Sequence, residues 1–195
     1  MQKIMFNDRY GLTDAVIEGR KTMTRRLIPD EFFGLTWDTR GNTLVYENEY
    51  GDFIDVRHSK YTRYKLGEVV AVAQCYYNAF SSRCDIPVYG ADRTPGWLNK
   101  MFVRADLMPH QIRITGIRCE RLQDISDADC MKEGVRVEFA KNGMPMYYYF
   151  DIKRWRQVWF DTPREAFASL IDRVSGKGTW ASNPWVVAYE FELVK

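Results

Sequence analysis

Four of the seven residues from Arg20 to Arg26 are cationic and none is acidic. Two hydroxyls, Thr22 and Thr24, stand among them. Guanidinium forks and an ammonium beside hydroxyls suit an anion or a polar heterocycle, which they meet with charge-assisted donors. Arg20, Thr22, Arg25 and Arg26 are therefore candidate ligand-binding residues. Read as a strand, the run turns Thr22, Thr24 and Arg26 to one face and Lys21, Met23 and Arg25 to the other. On an ideal strand Lys21 and Thr24 face opposite ways, so joint action requires a turn of the backbone between them. A solvated basic edge strand has the same composition, and only the surrounding elements can separate the two readings.

The elements that must position this run are legible on both sides of it. Lys3 to Phe6 reads as a short strand. Asn7 or Asp8 caps a helix that runs to about Glu18 with Leu12, Ala15 and Val16 on its apolar stripe, and Gly19 ends it. Leu35 to Trp37 and Thr43 to Tyr46 flank a Gly-containing loop, the pattern of a β-hairpin, and Phe53 to Val56 adds a strand. Val69 to Ala73 is wholly apolar and rich in valine, which suits a central strand. Gln111 to Leu122 alternates, with a change of phase near Gly116 that predicts a bulge.

Further along, Ser126-Asp127-Ala128-Asp129 opens a short helix that Gly134 closes, with Glu133 as its last residue. Val135 to Tyr149 reads as a polar and aromatic excursion from the core, as does Tyr76 to Asn99. Thr162-Pro163-Arg164-Glu165 opens a helix with an apolar face to Gly176. Trp185 to Leu193 is a strand by every local sign. Six or seven strands against three helices, without regular alternation, predict an α+β fold: a small mixed, partly open β-barrel with peripheral helices.

Bulk properties narrow the class. A chain of 195 residues with 46% hydrophobic content fits a single domain spanning 1–195 with a real core. A net charge of +2 argues against a strong sequence-independent grip on duplex nucleic acid. No apolar run reaches the ~20 residues a membrane span needs. The start, Met-Gln-Lys-Ile-Met-Phe, lacks the features of a signal peptide, and a cytoplasmic location is expected. The four cysteines, at 75, 84, 119 and 130, form no Cys-x-x-Cys pair, and only His58 and His110 could add imidazoles. Free thiols are therefore expected, and no metal or other cofactor.

Several pieces in order then resemble a known pattern. They are Gly19-Arg20-Lys21-Thr22-Met23-Thr24-Arg25-Arg26, Tyr64-Lys65-Leu66-Gly67-Glu68-Val69-Val70 and Ile114 to Ile125. Asp129-Cys130-Met131-Lys132-Glu133-Gly134 and the tail from Asn183-Pro184-Trp185 to Phe191 complete the set. Together they resemble the ASCH domain, a branch of the PUA-like β-barrel superfamily, in the long versions carried by bacteriophages and prophages. The matching pieces cover roughly half of the chain, and insertions near 29–63, 76–108 and 136–160 lie outside them.

The resemblance implies a PUA-like barrel with a helix across its mouth, and RNA or a modified nucleoside as ligand. A small bacterial member of the branch is an amidohydrolase that removes the acetyl group from N4-acetylcytidine. Its catalytic Lys, Thr and Glu fall on Lys21, Thr24 and Glu133 here. In that role Thr24 would be the nucleophile and an unprotonated Lys21 its base, with nearby arginines lowering the lysine pKa. Glu133 would hold Lys21 or pass a proton to the leaving amine.

The chain departs from the pattern where many long members carry Arg-Glu and an aromatic residue. Gln74-Cys75-Tyr76 stands there instead, which places Gln74 among the candidate pocket residues. Aromatic side chains can stack on unpaired bases. Trp180, Trp185, Tyr76 and Tyr77 flank the motif segments and are expected on the pocket wall, with Asn183 close by. The leading expectation is a nucleic-acid or nucleoside-binding protein. An amidohydrolase of acylated cytidine-type nucleosides is the second, and a phage accessory protein acting through protein contacts the third.

Overall fold

The fold is seen in a computed structural model whose described residues are 1–28, 34–39, 41, 43–59, 62–80 and 94–194. Cys84 and most of the Tyr76–Asn99 excursion lie outside them. Among the described residues the architecture is α+β, with eleven strands in three sheets and five helices.

The main sheet has five strands. They are β1 (Lys3–Ile4), β2 (Met23–Leu27), β6 (Val69–Val72), β7 (Gln111–Arg121) and β11 (Trp185–Leu193), in the order β1-β6-β7-β11-β2. Only β1 and β6 run parallel. The apolar β6 run is buried, with Val70, Ala71 and Val72 at 0% exposure. The phase change in β7 is a bulge. Glu190 of β11 pairs with Gly116 while Phe191 pairs with Ile114, which leaves Thr115 as the extra residue. β11 lies between β7 and β2, and Val186 to Tyr189 are all buried, as befits a strand with neighbours on both edges.

The expected barrel is not formed: the sheet is open between its ends, β1 and β2. β1 contributes only two residues to the ladder. Where the next ladder would lie, the Arg26 side chain instead donates to the Met5 carbonyl oxygen at 2.6 Å.

Two small antiparallel sheets fall in the segments expected as insertions. The first contains β3 (Thr36–Asp38), β4 (Thr43–Glu47) and β5 (Phe53–Asp55), paired as the hairpin signals predicted. The second contains β8 (Arg136–Phe139), β9 (Pro145–Asp151) and β10 (Arg156–Phe160), in the order β10-β9-β8. Its first two strands replace the irregular excursion expected over 135–149. Their alternation is masked because tyrosines occupy both faces. Tyr149 is buried and packs on Tyr10 and Phe160, while Tyr148 points the other way.

α1 (Leu12–Ile17) precedes β2, with Asn7 capping the short 3-10 turn before it rather than the helix itself. Tyr76 to Phe80, within the expected excursion, forms the short α2. α3 (Asp127–Lys132) carries the predicted Ser126 cap. α4 (Pro163–Ser175) starts on Thr162, whose hydroxyl accepts from the Glu165 N–H at 3.2 Å. Its buried face of Ala166, Phe167, Leu170 and Ile171 follows i, i+4 spacing and covers both the main sheet and the inner face of the second small sheet. The one-turn α5 (Thr179–Ser182) follows.

Candidate functional site

Lys21 does not lie in a strand. β2 starts two residues later, and Lys21 and Thr22 belong to the link from α1. The Lys21 N–H donates to the Ala15 carbonyl at 2.8 Å and the Thr22 N–H to the Lys132 carbonyl at 3.0 Å. This link supplies the change of direction that an ideal strand would forbid. Lys21, Thr24, Arg25 and Arg26 consequently line one cavity with Glu133.

The cavity measures about 180 Å³ and sits at the open seam of the sheet. Met5, Phe6 and Asn7, just after β1, form one wall, and Thr24 to Leu27 of β2 form the other. Phe167, Leu170, Ile171 and Val174 of α4 supply an apolar side. The space has room for a heterocycle and opens to solvent, so a larger group attached to that ring can extend outward. Its shape is apolar with a few convergent polar groups, as small-molecule sites generally are.

Those polar groups are tightly organised. The Lys21 ammonium donates to Glu133 Oε2 at 2.5 Å and to the Glu133 carbonyl at 2.8 Å, and both residues are buried. Glu133 occupies the C-cap of α3, where its own N–H returns to Asp129 O. Gly134 follows at φ +106°, and a Cβ there would stand 3.1 Å from Leu12 Cδ2, so glycine is what lets the helix end turn so close to α1.

Arg25 anchors the acids behind the cavity. Its side chain is 1% exposed, and it contacts Glu133 at 3.1 Å, Glu120 at 2.6 Å and Asp129 at 3.3 Å. Arg118 completes the cluster by reaching Glu120, Glu190 and Asp129. Every buried charge here therefore has a partner, which burial requires.

Burial pushes the Lys21 amine below the ordinary lysine range. The charge and hydrogen bond of Glu133 pull it back, and Arg26 and Arg25 add to the depression. Arg25 also gives the Glu133 carboxylate a second cation, so it stays paired when Lys21 has no proton. Thr24 is 5% exposed and lines the cavity, and its hydroxyl has no hydrogen-bond partner among the described residues.

The other predicted residues lie elsewhere. Arg20 pairs with Glu18 at 2.5 Å, and Thr22 lies outside the lining. Gln74 is buried beyond β6, where its side-chain oxygen meets His110 Nδ1 at 2.8 Å. Tyr76 and Tyr77 also lie off the cavity, packed on Phe80 and Trp97. Trp180 packs edge-on to Phe167 beneath Arg164. Asn183 adopts φ +45° and accepts from the Gln123 N–H, a turn-forming role. Trp185 stacks on Trp37 at 5.6 Å with Arg121 over its ring. Each of these groups is already engaged by its own neighbours.

Sequence reasoning missed Asp129, Glu120, Arg118 and Glu190. One signal existed: Asp129 and Glu133 stand at i, i+4 and so share a face of α3. The others meet only through the pairing of β7 with β11 and α3. A larger hollow of about 500 Å³, lined by Arg57, His58, Ser59, Thr62 and Lys65, is less suited to a charged ligand. Its Arg57 is already clamped on Asp55 at 2.6 Å. Among the described residues no group of three or more His, Cys, Asp or Glu is placed to hold a metal ion, and no helix is long and apolar enough to cross a membrane.

Comparison with protein-family models, curated proteins and solved structures returns no match to this chain.

Proposed function

We propose that the protein hydrolyses an acyl amide on a nucleobase or nucleoside bound in the seam cavity. The observation that carries the reading is the convergence of a buried lysine of lowered pKa, a carboxylate and an unpartnered threonine hydroxyl on one heterocycle-sized space. A site that only binds has little use for a buried amine shifted toward neutrality, whereas a general base needs one.

The chemistry follows from those groups. Neutral Lys21 takes the proton of the Thr24 hydroxyl as its oxygen attacks the amide carbon. The carbonyl oxygen becomes an oxyanion, steadied by the Arg26 guanidinium at the cavity rim. The C–N bond then breaks, and the Lys21 ammonium returns the proton to the departing exocyclic amine. Water, deprotonated by Lys21, attacks the resulting threonyl ester; the bond from the acyl carbon to the Thr24 oxygen breaks, that oxygen takes the proton back from the Lys21 ammonium, and the carboxylic acid leaves. Glu133 orients Lys21 and balances its charge in the protonated stages.

Incubation with N4-acetylcytidine, followed by chromatography, tests this directly. Release of cytidine by the wild type and its loss in Lys21→Met is the expected result. An inert wild type across a panel of N4-acylated cytidines would sink it.

One observation favours a second reading, in which the same cavity binds an unpaired or modified base without cleaving it. No hydrogen bond joins the Thr24 hydroxyl to the Lys21 amine in the free chain. Catalytic contacts often tighten only when substrate is bound, so a substrate-analogue complex separates the readings.

A further inference from the structure

The second small sheet has an outer face turned away from α4. Alternation places Met146, Tyr148 and Phe150 of β9 there, with Trp159 of β10 opposite Tyr148 in register. Tyr148 and Trp159 rings lie 4.5 Å apart, and Phe150 meets Trp155 edge-on at 5.4 Å. Four large aromatic rings thus form two contacting pairs side by side on one face.

Trp155 is the least expected member. It is 79% exposed and holds φ +50°, a left-handed conformation that bulky residues rarely adopt. Folding gains little from so exposed a ring, and the backbone is strained to present it. Strain of this kind, kept at an exposed position, is characteristic of functional sites.

The charge around these rings has one sign in excess. Arg136 stands opposite Tyr148 on the other side, and Lys153 and Arg154 precede Trp155 in the turn between β9 and β10. Arg154 lies near the buried Asp151, which Arg9 already holds, and none of the three forms an ion pair within 4 Å among the described residues. Arg156, paired with Asp151, falls by the same alternation on the inner side. Glu138 is the acidic residue of the same face and Asp161 lies just beyond β10. In the cavity, by contrast, Arg25 is consumed by acids.

We infer that this outer face is a stacking platform for single-stranded nucleic acid, with Trp155, Phe150, Tyr148 and Trp159 receiving bases and Arg136, Lys153 and Arg154 meeting phosphates. Tyr148 and Phe150 are two positions apart on one strand, about 6.8 Å. That is about twice the 3.4 Å interval of stacked bases, so bases seated on both rings are separated from each other. An extended single strand satisfies this spacing. A duplex, whose base faces are already covered, does not. A purely apolar protein partner would leave these three cations buried without partners. The inference stands independently of the hydrolase reading, since no platform residue lines the cavity.

A short fluorescein-labelled oligothymidylate provides the test, with anisotropy and tryptophan quenching as readouts. Binding is expected to quench tryptophan and to weaken with salt at a log–log slope of about −2 to −3, since single strands give about −0.7 per phosphate neutralised. Trp155→Ala and Trp159→Ala should each weaken binding about fivefold or more. The Lys153→Glu/Arg154→Glu pair, which spares every ring, should flatten the salt slope. Lys21→Met should leave the affinity unchanged, so that failure of the cavity reading and failure of the platform are distinguishable. No binding would overturn the inference. So would binding that ignores both sets of substitutions, or an equal preference for duplex. Displacement of the oligonucleotide to another surface, with this face shielded by a protein, would overturn it as well.

Discussion

The seam cavity and the outer face of the second small sheet are both built from arginines, aromatics and a few acids, yet they are finished in opposite ways. In the cavity Lys21, Glu133, Arg25 and Asp129 are buried and mutually satisfied. On the outer face Trp155 is 79% exposed, and the exposed Lys153 and Arg154 before it form no ion pair within 4 Å among the described residues. Burial explains the difference. A charge out of water must be matched within the protein, while a charge in water can wait for its partner. The first region is therefore expected to be intolerant of change and the second nearly indifferent to it until a ligand arrives.

That contrast can be broken or sharpened by measurement. The largest effect is expected at Lys21: replacement by Met should lower the rate of acyl-amide cleavage by about 10²–10⁴, the usual worth of a positioned general base. Single-turnover kinetics reads it, and a variant with undiminished rate would remove Lys21 from the chemistry. Arg25→Met should come next, because it strips a shared cation from Glu120, Asp129 and Glu133. A loss of about 3–5 kcal/mol of stability is expected in urea denaturation. A loss below about 1 kcal/mol would mean that the acids find solvent or each other's protons instead.

The pH dependence probes the same buried amine with a definite sign. Lys21 is depressed in the folded chain, so the unfolded chain binds more protons there between the folded value and about 10.4. Its contribution to stability should therefore rise with pH across that window. Activity should likewise gain a rising limb, with its midpoint below the ordinary lysine value. A midpoint at or above that value in kcat/KM would show that burial does not lower this pKa. The smallest effects belong to the exposed face. Trp155→Gly removes a strained side chain and should change stability by no more than about 1 kcal/mol, toward greater stability. A marked loss would show that the ring supports the fold itself.

The local elements were legible in the sequence, the contrast between the two regions was not, and both for physical reasons. Local signals are written in neighbouring residues. Thus the Ser126 and Thr162 caps, the β3–β4 hairpin and the Gly116 bulge all stand where the sequence placed them. Lys21, Thr24 and Glu133 were named from the resemblance, and they share one cavity. The acid–arginine cluster was not legible because it depends on β7, β11, β2 and α3 meeting side by side. Burial in the wrong place misled the aromatic choices: Trp180 and Trp185 flank the motifs but are spent on Phe167 and Trp37. The β8–β10 face went unread because its two faces carry the same residue type. Closure of the barrel failed as an expectation because strand count says nothing about whether the two end strands find each other.

The open seam has a consequence beyond the chemistry proposed for it. Its walls are the two terminal strands of one sheet, joined across the gap by the Arg26–Met5 bond between positions 21 residues apart. Any molecule lodged there touches both and acts as a clasp, turning an open sheet into a mechanical ring. Unpaired strand edges are templates for association between chains. Occupancy would then shield them, and by mass action hold the first strand in place. The ligand of such a site is at once its guest and its missing rung.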